Sequence, residues 1–380
     1  MANLNESDDR RDPRTDRRRR PVVTGETPPG HRLRSIELVD MQSGGDVSRI
    51  VTRGVSHLPG GTVLEQMRYI QKHGDGFRRW LLSEPYGDPY MSIDLIVPAD
   101  NPKAQAGYII MEAMGYPLYS GSNTICTAAA VLENGIVPME EGEQKLVLES
   151  PAGLSHVTAH NRNGRVESIT TRSEPAFVAA RDMVAEVPGF GKVRFDLVWS
   201  GAYFAMVEAP PLGFGLVNDE MAALATFGRA FVEAARPAVT QEHPELGHVG
   251  PLPFVHLMGP VERRENGGFR SRSATYVHPG VICRSPTGTG TTARLALMHS
   301  AGEVRDGDWL ETISPRGSSF IGTVLGEARV GDHRALNTEI TGRAWTLARS
   351  QVMLDLDDPL VDVRDLEGVL NSHEIPPVSS

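Results

Sequence analysis

The chain has 380 residues, of which 40% are hydrophobic and 23% are charged, and its net charge is −10. A chain of this length exceeds the usual size of one hydrophobic core, so it predicts two domains. The negative charge argues against a nucleic-acid partner. No apolar run approaches the roughly 18 residues of a membrane span and no signal-peptide pattern is present, so we expect a cytoplasmic protein without a membrane partner.

The two ends of the chain contain little that could enter a core. Residues 1–30 are rich in arginine, with Asp, Pro, Thr and Gly between the arginines, and this composition predicts a disordered tail. An RNA or membrane contact is the weaker interpretation of this segment. We expect a second loose tail over 357–380.

Apolar patterning between these ends predicts short strands that alternate with helices. The predicted strands cover 36–41, 47–51, 93–97 and 108–111, with a strand-like run over 196–209. The predicted helices cover 62–73, which ends at Gly74, and 220–235. The fold class that follows is α/β (α+β).

One segment of the first half has a counterpart in the second half. Each has a hydroxyl residue, a glycine, a second hydroxyl residue, a helix of about ten residues and a terminal glycine. The segments are Ser120-Gly121-Ser122-Asn123-Thr124 with a helix over 125–134 and Gly135, and Thr287-Gly288-Thr289-Gly290-Thr291 with a helix over 292–301 and Gly302. Duplication of a whole α/β unit explains both segments better than chance does.

The repeat predicts two similar domains. We expect an N-terminal α/β domain over 31–185, which regains a returning strand at about 340–356, and a C-terminal α/β domain over 186–339. The two small-residue loops would then face each other across the cleft between the domains.

Such a loop at a helix start is suited to bind an anion. The first backbone N–H groups of a helix lack intrahelical acceptors, and the helix dipole is positive there. The predicted substrate-binding residues are Gly121, Ser122, Asn123, Gly288 and Thr289. An amino acid held by its carboxylate would have its Cα between Ser120 and Thr287, which we predict to be catalytic, and the same donors would stabilise the enediolate formed when the Cα proton leaves.

Other kinds of site are disfavoured. No lysine completes a phosphate loop, and no G-x-S-x-G pattern surrounds Ser120. Pro and Gly between His243 and His248 break the helix that metal spacing needs, so this segment is predicted to be a surface loop. Cys126 and Cys283 are too few for a disulfide framework and lack C-x-x-C spacing. We therefore expect neither a cofactor nor a metal ion.

Several motifs along the chain form a recognisable set. They are Glu-Pro-Tyr-Gly at 84–87, Ser-Gly-Ser-Asn-Thr-Ile at 120–125, Arg-Ser-Pro-Thr-Gly-Thr-Gly at 284–290 and Thr-Gly-Arg-Ala-Trp at 341–345, with shorter matches at 107–111, 135–139 and 259–260. Together they resemble the proline racemase superfamily over about residues 36–356. The resemblance implies a diaminopimelate epimerase-like fold of two pseudo-symmetric domains, with the active site in the interdomain cleft.

The resemblance also implies a reaction. In racemases of this superfamily both loop-leading residues are cysteine, whereas here they are Ser120 and Thr287. An alcohol ionises far less readily than a thiol, and threonine is β-branched, so chemistry with one base is expected. Members with threonine at the second position dehydrate 3-hydroxyproline, so we expect a lyase that converts trans-3-hydroxy-L-proline to a pyrroline-2-carboxylate. The alternatives are a proline or hydroxyproline racemase or 2-epimerase, and an inactive amino-acid-binding homologue.

The chain departs from the superfamily pattern at three places. Gln42 replaces a histidine in the first small-residue turn, Ser200-Gly201 replaces Gly-Gly, and Cys283 replaces an aspartate before Arg-Ser-Pro. In the superfamily that aspartate contacts the ring nitrogen or hydroxyl of the substrate, so Gln42 and Cys283 are candidate substrate contacts. The partner is expected to be a small-molecule amino acid, and a homodimer remains open.

Overall fold

The structure is a computed structural model that describes residues 32–359, 361, 364–366 and 368–370. The predicted tail over 1–30 lies outside the described residues, as does most of the predicted tail over 357–380. In the described part of the chain, 18 strands and five α-helices form one continuous mixed sheet with helices packed against it. This agrees with the predicted fold class.

Eight of the strands form a first barrel. They are β1 (Leu33–Ser43), β2 (Asp46–Arg53), β3 (Ser92–Val97), β4 (Ala106–Met111), β5 (Gly142–Ser150), β6 (Gly153–Arg162), β7 (Arg165–Arg172) and β18 (Ala344–Asp355). Each of β1 to β6 pairs with the strand that follows it, and β18 pairs with β1.

A second set of eight strands repeats this arrangement. They are β8 (Ala176–Val187), β9 (Gly191–Trp199), β10 (Tyr203–Glu208), β11 (Phe254–Met258), β13 (Phe269–Val277), β15 (Trp309–Ile313), β16 (Ser319–Val330) and β17 (His333–Gly342). Two short strands, β12 (Glu262–Arg263) and β14 (Val281–Ile282), pair with the ends of β13.

The order of parallel and antiparallel pairs is the same in both barrels. The parallel pairs β2–β3 and β4–β5 correspond to β10–β11 and β13–β15. Strand β17 closes both barrels, because it pairs with β8 in the second and with β7 in the first before continuing across Arg343 into β18. The boundary expected between 185 and 186 lies inside β8, whose pairing places it in the second barrel.

Each barrel encloses one helix. Helix α3 (Gly121–Glu133) lies inside the first barrel and α5 (Gly288–Ser300) inside the second, and most residues of both are buried. α3 packs against inward-facing side chains such as Met41 and Ile50. Because a helix inside a barrel meets apolar neighbours on all sides, neither helix needs a polar face.

The remaining helices cover the outer faces of the barrels. α1 (Val63–His73) and α2 (Asp75–Leu81) pack on the first barrel, and α4 (Met221–Ala235) packs on the second. Thr62 begins α1 with a capping box, since its hydroxyl accepts from the N–H of Glu65 and the Glu65 carboxylate accepts from the N–H of Thr62. Gly74 ends α1 as predicted.

The segment 243–248 is a surface loop, as predicted, but one of its side chains is buried. His243 lies in the predicted surface loop, but it is only 5% exposed. Its ring packs 4.5 Å from the Trp199 ring, and its Nδ1 accepts a hydrogen bond from the N–H of Leu246 at 3.1 Å. The imidazole therefore anchors the loop on the second barrel, a contact that depends on a residue distant in the sequence.

Candidate active site

The two enclosed helices begin at the same point in the molecule. A Cβ built on Gly121 would lie 3.8 Å from the Cα of Gly288, and the converse distance is also 3.8 Å. These distances are ordinary van der Waals contacts, so the two helix starts lie side by side. Two positive helix ends therefore meet, which is the arrangement that the sequence predicts.

Both helices begin earlier than their predicted starts at 125 and 292, because the small-residue loops form their first turns. The first helical hydrogen bonds run from the N–H of Thr124 to the carbonyl of Ser120 and from the N–H of Thr291 to the carbonyl of Thr287, each at 2.9 Å. The N–H groups that precede these two bonds form the open ends of the helices. They are the donors available to a bound carboxylate.

The predicted catalytic residues occupy the two N-cap positions. Ser120 has an extended backbone, with φ −152°, and its side chain makes no capping hydrogen bond. Thr287 has φ 64°, a conformation that β-branched residues rarely adopt. Ser122 and Thr289 are half-buried in the first turns, where they can line a ligand site. Their roles stay predictions.

A turn of the first barrel joins the second small-residue loop. Gln42 closes this turn, because its Oε1 accepts from the N–H of Gly45 at 2.8 Å. Asp46 follows, and its Oδ1 accepts from the N–H groups of Arg284 at 2.8 Å and Ser285 at 3.2 Å. Burial raises the pKa of Asp46, and its hydrogen bonds with Ser285 and Arg284 oppose that rise.

Sequence reasoning missed Asp46. The available signal was a Gly-Gly-Asp turn directly after a strand, in which an aspartate can bond to backbone N–H groups. Its partners are 238 and 239 positions away in the chain. The pattern could therefore indicate a turn but not what the carboxylate binds.

Asn123 is engaged with the protein itself. It is 2% exposed, and its Oδ1 accepts from the hydroxyl of Ser48 at 2.7 Å and from that of Ser92. Its Nδ2 donates to Oε1 of Glu112 at 3.0 Å. This amide therefore fixes the Glu112 carboxylate beside the first turn of α3, and the predicted contact of Asn123 with substrate stays a prediction.

Glu112 is a site residue that sequence reasoning did not select. It is half-buried, and burial raises the pKa of its carboxyl to about 7, with the negative charge of Asp46 adding to the rise and the Asn123 hydrogen bond opposing it. Its only sequence signal is an acidic residue that directly follows the buried strand β4. The carboxyl changes charge near neutral pH.

Cys283 lies next to Thr287. Burial raises the pKa of the Cys283 thiol, the negative charge of Asp46 adds to the rise, and the neighbouring Thr287 opposes it. The thiol is therefore protonated at neutral pH, and a protonated thiol is a poor base or nucleophile. The position lies at the second loop, as predicted, but the sulfur cannot supply the negative charge of an aspartate.

A buried ionisable side chain lies at the same place in each barrel. Asp94 is the third residue of β3 and His256 the third residue of β11, and each is 0% exposed. Burial raises the pKa of Asp94 well above its usual value and lowers the pKa of His256 to about 3. His256 is therefore neutral at neutral pH, and Asp94 keeps its proton to a higher pH than an exposed aspartate does.

Two further findings concern other kinds of site. Within the described residues, no group of three or more His, Cys, Asp or Glu side chains is arranged to hold a metal ion. No helix in the same part of the chain is long and apolar enough to cross a membrane.

Sequence comparison places this geometry among known proteins. A model of the proline racemase family matches residues 38–363. A protein of Chromohalobacter salexigens is 54% identical over 338 residues, which cover 89% of this chain and 94% of that protein. The 4-hydroxyproline 2-epimerase 1 of Rhizobium rhizogenes is 35% identical over 331 residues, which cover 87% of this chain and 94% of that enzyme.

Structural comparison agrees. A hydroxyproline epimerase of Agrobacterium vitis, solved with bound trans-4-hydroxy-L-proline, superposes with a TM-score of 0.79 at 32% identity, covering 87% of this chain and 94% of that one. A methylitaconate-delta-isomerase, at 12% identity and a TM-score of 0.50, covers 85% of this chain and 96% of its own and shares the fold alone. The predicted two-domain fold is confirmed, and the chain belongs to the proline racemase family.

Proposed function

We propose that this protein exchanges the Cα proton of a hydroxyproline-like amino acid without a cofactor and inverts its Cα, as a 2-epimerase. The observation that carries the proposal is the meeting of the two helix starts at Gly121 and Gly288. The relatives named as 4-hydroxyproline 2-epimerase and hydroxyproline epimerase support the same reaction, since each aligns over most of this chain.

The chemistry follows from the two helix ends. The open N–H groups of α3 and α5 hold the substrate carboxylate, and their positive ends stabilise the enediolate that forms as the Cα proton leaves. A five-membered ring bound in this way presents one face of its Cα toward Ser120 and the other toward Thr287. Inversion requires removal of a proton on one face and delivery of a proton on the other.

Dehydration of a 3-hydroxyproline is the second candidate, and Thr287 favours it. A threonine hydroxyl is almost never ionised at neutral pH, so it is a weak proton carrier on the second face. Without efficient return of the proton, an enediolate with a hydroxyl on Cβ can expel that hydroxyl as water. This would make the protein a lyase, as the sequence-based interpretation expects.

One experiment separates these reactions. The protein is incubated in deuterated water with proline, the 3-hydroxyprolines or the 4-hydroxyprolines, and the compounds are followed by NMR. Deuterium at Cα with inversion supports the epimerase. Release of a pyrroline-2-carboxylate without label in recovered substrate supports the dehydratase, and binding with neither reaction would indicate an amino-acid-binding homologue and overturn both.

A further inference from the structure

The residues that lead the two loops lack a ready proton acceptor. The hydroxyls of Ser120 and Thr287 are weak bases unless another group takes their proton. The Cys283 thiol is protonated at neutral pH because burial and the charge of Asp46 raise its pKa. Proton removal at Cα therefore requires another side chain near these loops.

Glu112 is an acidic side chain beside the helix start that Ser120 leads. Its backbone is fixed by two reciprocal hydrogen bonds with Gly115, at 2.7 and 2.9 Å. Its Oε1 accepts from Nδ2 of Asn123 at 3.0 Å, in the first turn of α3. Its charge also acts on the Cys283 thiol, four residues before Thr287. The carboxylate therefore contacts the start of α3 and acts electrostatically on the second loop.

The groups that face Glu112 favour a carboxyl that changes charge near neutral pH. Asp46 and the buried Asp94 are acidic neighbours, and the Cys283 thiol is neutral. Arg78 donates to the backbone carbonyl of Glu112 at 3.1 Å, but its guanidinium is paired with Asp75 at 2.8 Å. With burial as the largest cause, the pKa of Glu112 is raised to about 7.

We propose that Glu112 holds the proton that leaves Cα on the Ser120 face, an inference that rests on the proposed function. The Cα–H bond breaks as Ser120 Oγ takes the proton and passes its own hydroxyl proton to the Glu112 carboxylate. The electron pair of the broken bond moves into the substrate carboxyl group as the enediolate. Reversal of these steps restores the starting configuration and gives Cα exchange. In inversion the enediolate takes a proton that comes from solvent on the Thr287 face, and protonated Glu112 releases its own proton to solvent, so no other reactant is consumed.

The test is the pH dependence of Cα exchange. Exchange of deuterium into trans-4-hydroxy-L-proline and trans-3-hydroxy-L-proline is measured from about pH 5 to about pH 9 for the unaltered protein, Glu112→Gln and Asp46→Asn. Asparagine at 46 keeps the oxygen that accepts from Arg284 and Ser285 but removes the charge. Glu133→Gln is the matched control, because Glu133 is also half-buried and hydrogen-bonded, at the far end of α3.

The expected result is specific to a proton carrier. The exchange rate of the unaltered protein should rise with pH through about 7, since the deprotonated carboxylate is the base. Glu112→Gln should lower kcat by about 100-fold or more, leave KM within about threefold and abolish the rise. Asp46→Asn should move the rise to lower pH, because the charge that raises the pKa of Glu112 is gone, and Glu133→Gln should match the unaltered protein.

Two results would overturn the inference, and they differ from failure of the proposed function. One is a Glu112→Gln variant that keeps the parental kcat and the rise of exchange rate with pH. The other is an Asp46→Asn variant in which that rise occurs at the parental pH, and this result decides the matter if Glu112→Gln does not fold. Folding and ligand binding are checked with pyrrole-2-carboxylate, whose planar ring carbon resembles the enediolate. If the unaltered protein labels and dehydrates neither compound, the proposed function itself is wrong.

Discussion

The starts of α3 and α5 share a backbone arrangement. In each, a threonine one turn into the helix donates its hydroxyl back to the carbonyl of the N-cap residue, from Thr124 to Ser120 at 2.7 Å and from Thr291 to Thr287 at 3.1 Å. A threonine side chain thus closes the first turn of each helix. The shared part of the two starts is the part that can bind a carboxylate, which has two equivalent oxygens.

The side chains at the matched position just before these threonines differ. The first start has Asn123, which holds the Glu112 carboxylate at 3.0 Å. The second has Gly290, where an added Cβ would lie 2.5 Å from Nδ1 of His256. The lowered pKa of His256, about 3, makes it neutral at neutral pH. A group with a pKa of about 7 therefore lies beside the first start, so we expect anion binding to be symmetric and proton transfer to be asymmetric.

Alanine substitutions of the two N-cap residues test this asymmetry directly. Ser120→Ala should lower the rate of Cα exchange by about 100-fold or more, because the hydroxyl that leads to Glu112 is lost. Thr287→Ala should lower it by about tenfold or less. KM should change little in either variant, since backbone N–H groups hold the carboxylate. Equal losses in the two variants, measured by deuterium incorporation and steady-state kinetics, would falsify the asymmetry.

A smaller effect concerns stability against pH. The pKa of Asp94 is higher in the folded protein than its usual value of 3.8. The contribution of Asp94 to the free energy of unfolding is therefore complete below pH 3.8 and is lost as pH rises through the folded pKa. For His256 the contribution is complete above 6.5 and is lost as pH falls toward about 3. The two barrels should therefore respond to pH in opposite directions.

Two substitutions measure these responses. Asp94→Asn should stabilise the protein more at alkaline pH than near pH 4, by about 1–2 kcal/mol. His256→Asn should stabilise the protein more at acid pH than at pH 8, by about the same amount. Thermal unfolding across pH gives both quantities. A constant difference from the unaltered protein at all pH values would show that neither side chain is forced to stay neutral.

The smallest effect compares the two N-cap residues. Thr287 has φ 64°, whereas Ser120 has φ −152°. Glycine relieves the backbone strain only at the first of these, so Thr287→Gly should raise the free energy of unfolding by about 1 kcal/mol, net of the added chain entropy. Ser120→Gly should lower it by a few tenths of a kcal/mol. Urea unfolding of both variants checks the signs, and destabilisation by Thr287→Gly would contradict the strain.

Much of the fold could be predicted because its signals are local. Thr62, Glu65 and Gly74 mark the ends of α1 within the helix itself. The repeated Ser-Gly and Thr-Gly starts likewise indicated two related units, and the two barrels have matching strand pairs. The predicted helix starts are four residues late, because the small-residue loops form the first helical turns. The hydroxyls of Thr124 and Thr291 close these turns by bonding to backbone carbonyls.

The site was less predictable than the fold. The sequence predicts Gln42 and Asn123 as substrate contacts but not that their side chains bind Gly45 and Glu112. Asp46 was not selected, although it joins the first barrel to the second loop. Each of these outcomes depends on which atoms surround a polar group, and a residue type in isolation does not specify its neighbours.

The order of residues was enough to predict the family, the two-unit architecture and two glycine-led helix starts that face each other, because caps, glycines and apolar periodicity act over a few residues along the chain. The folded structure was needed to place Glu112 against Asn123 and within the electrostatic influence of Asp46. A pKa depends on burial and on charges brought near by folding, and neither quantity is carried by the order of residues around the group.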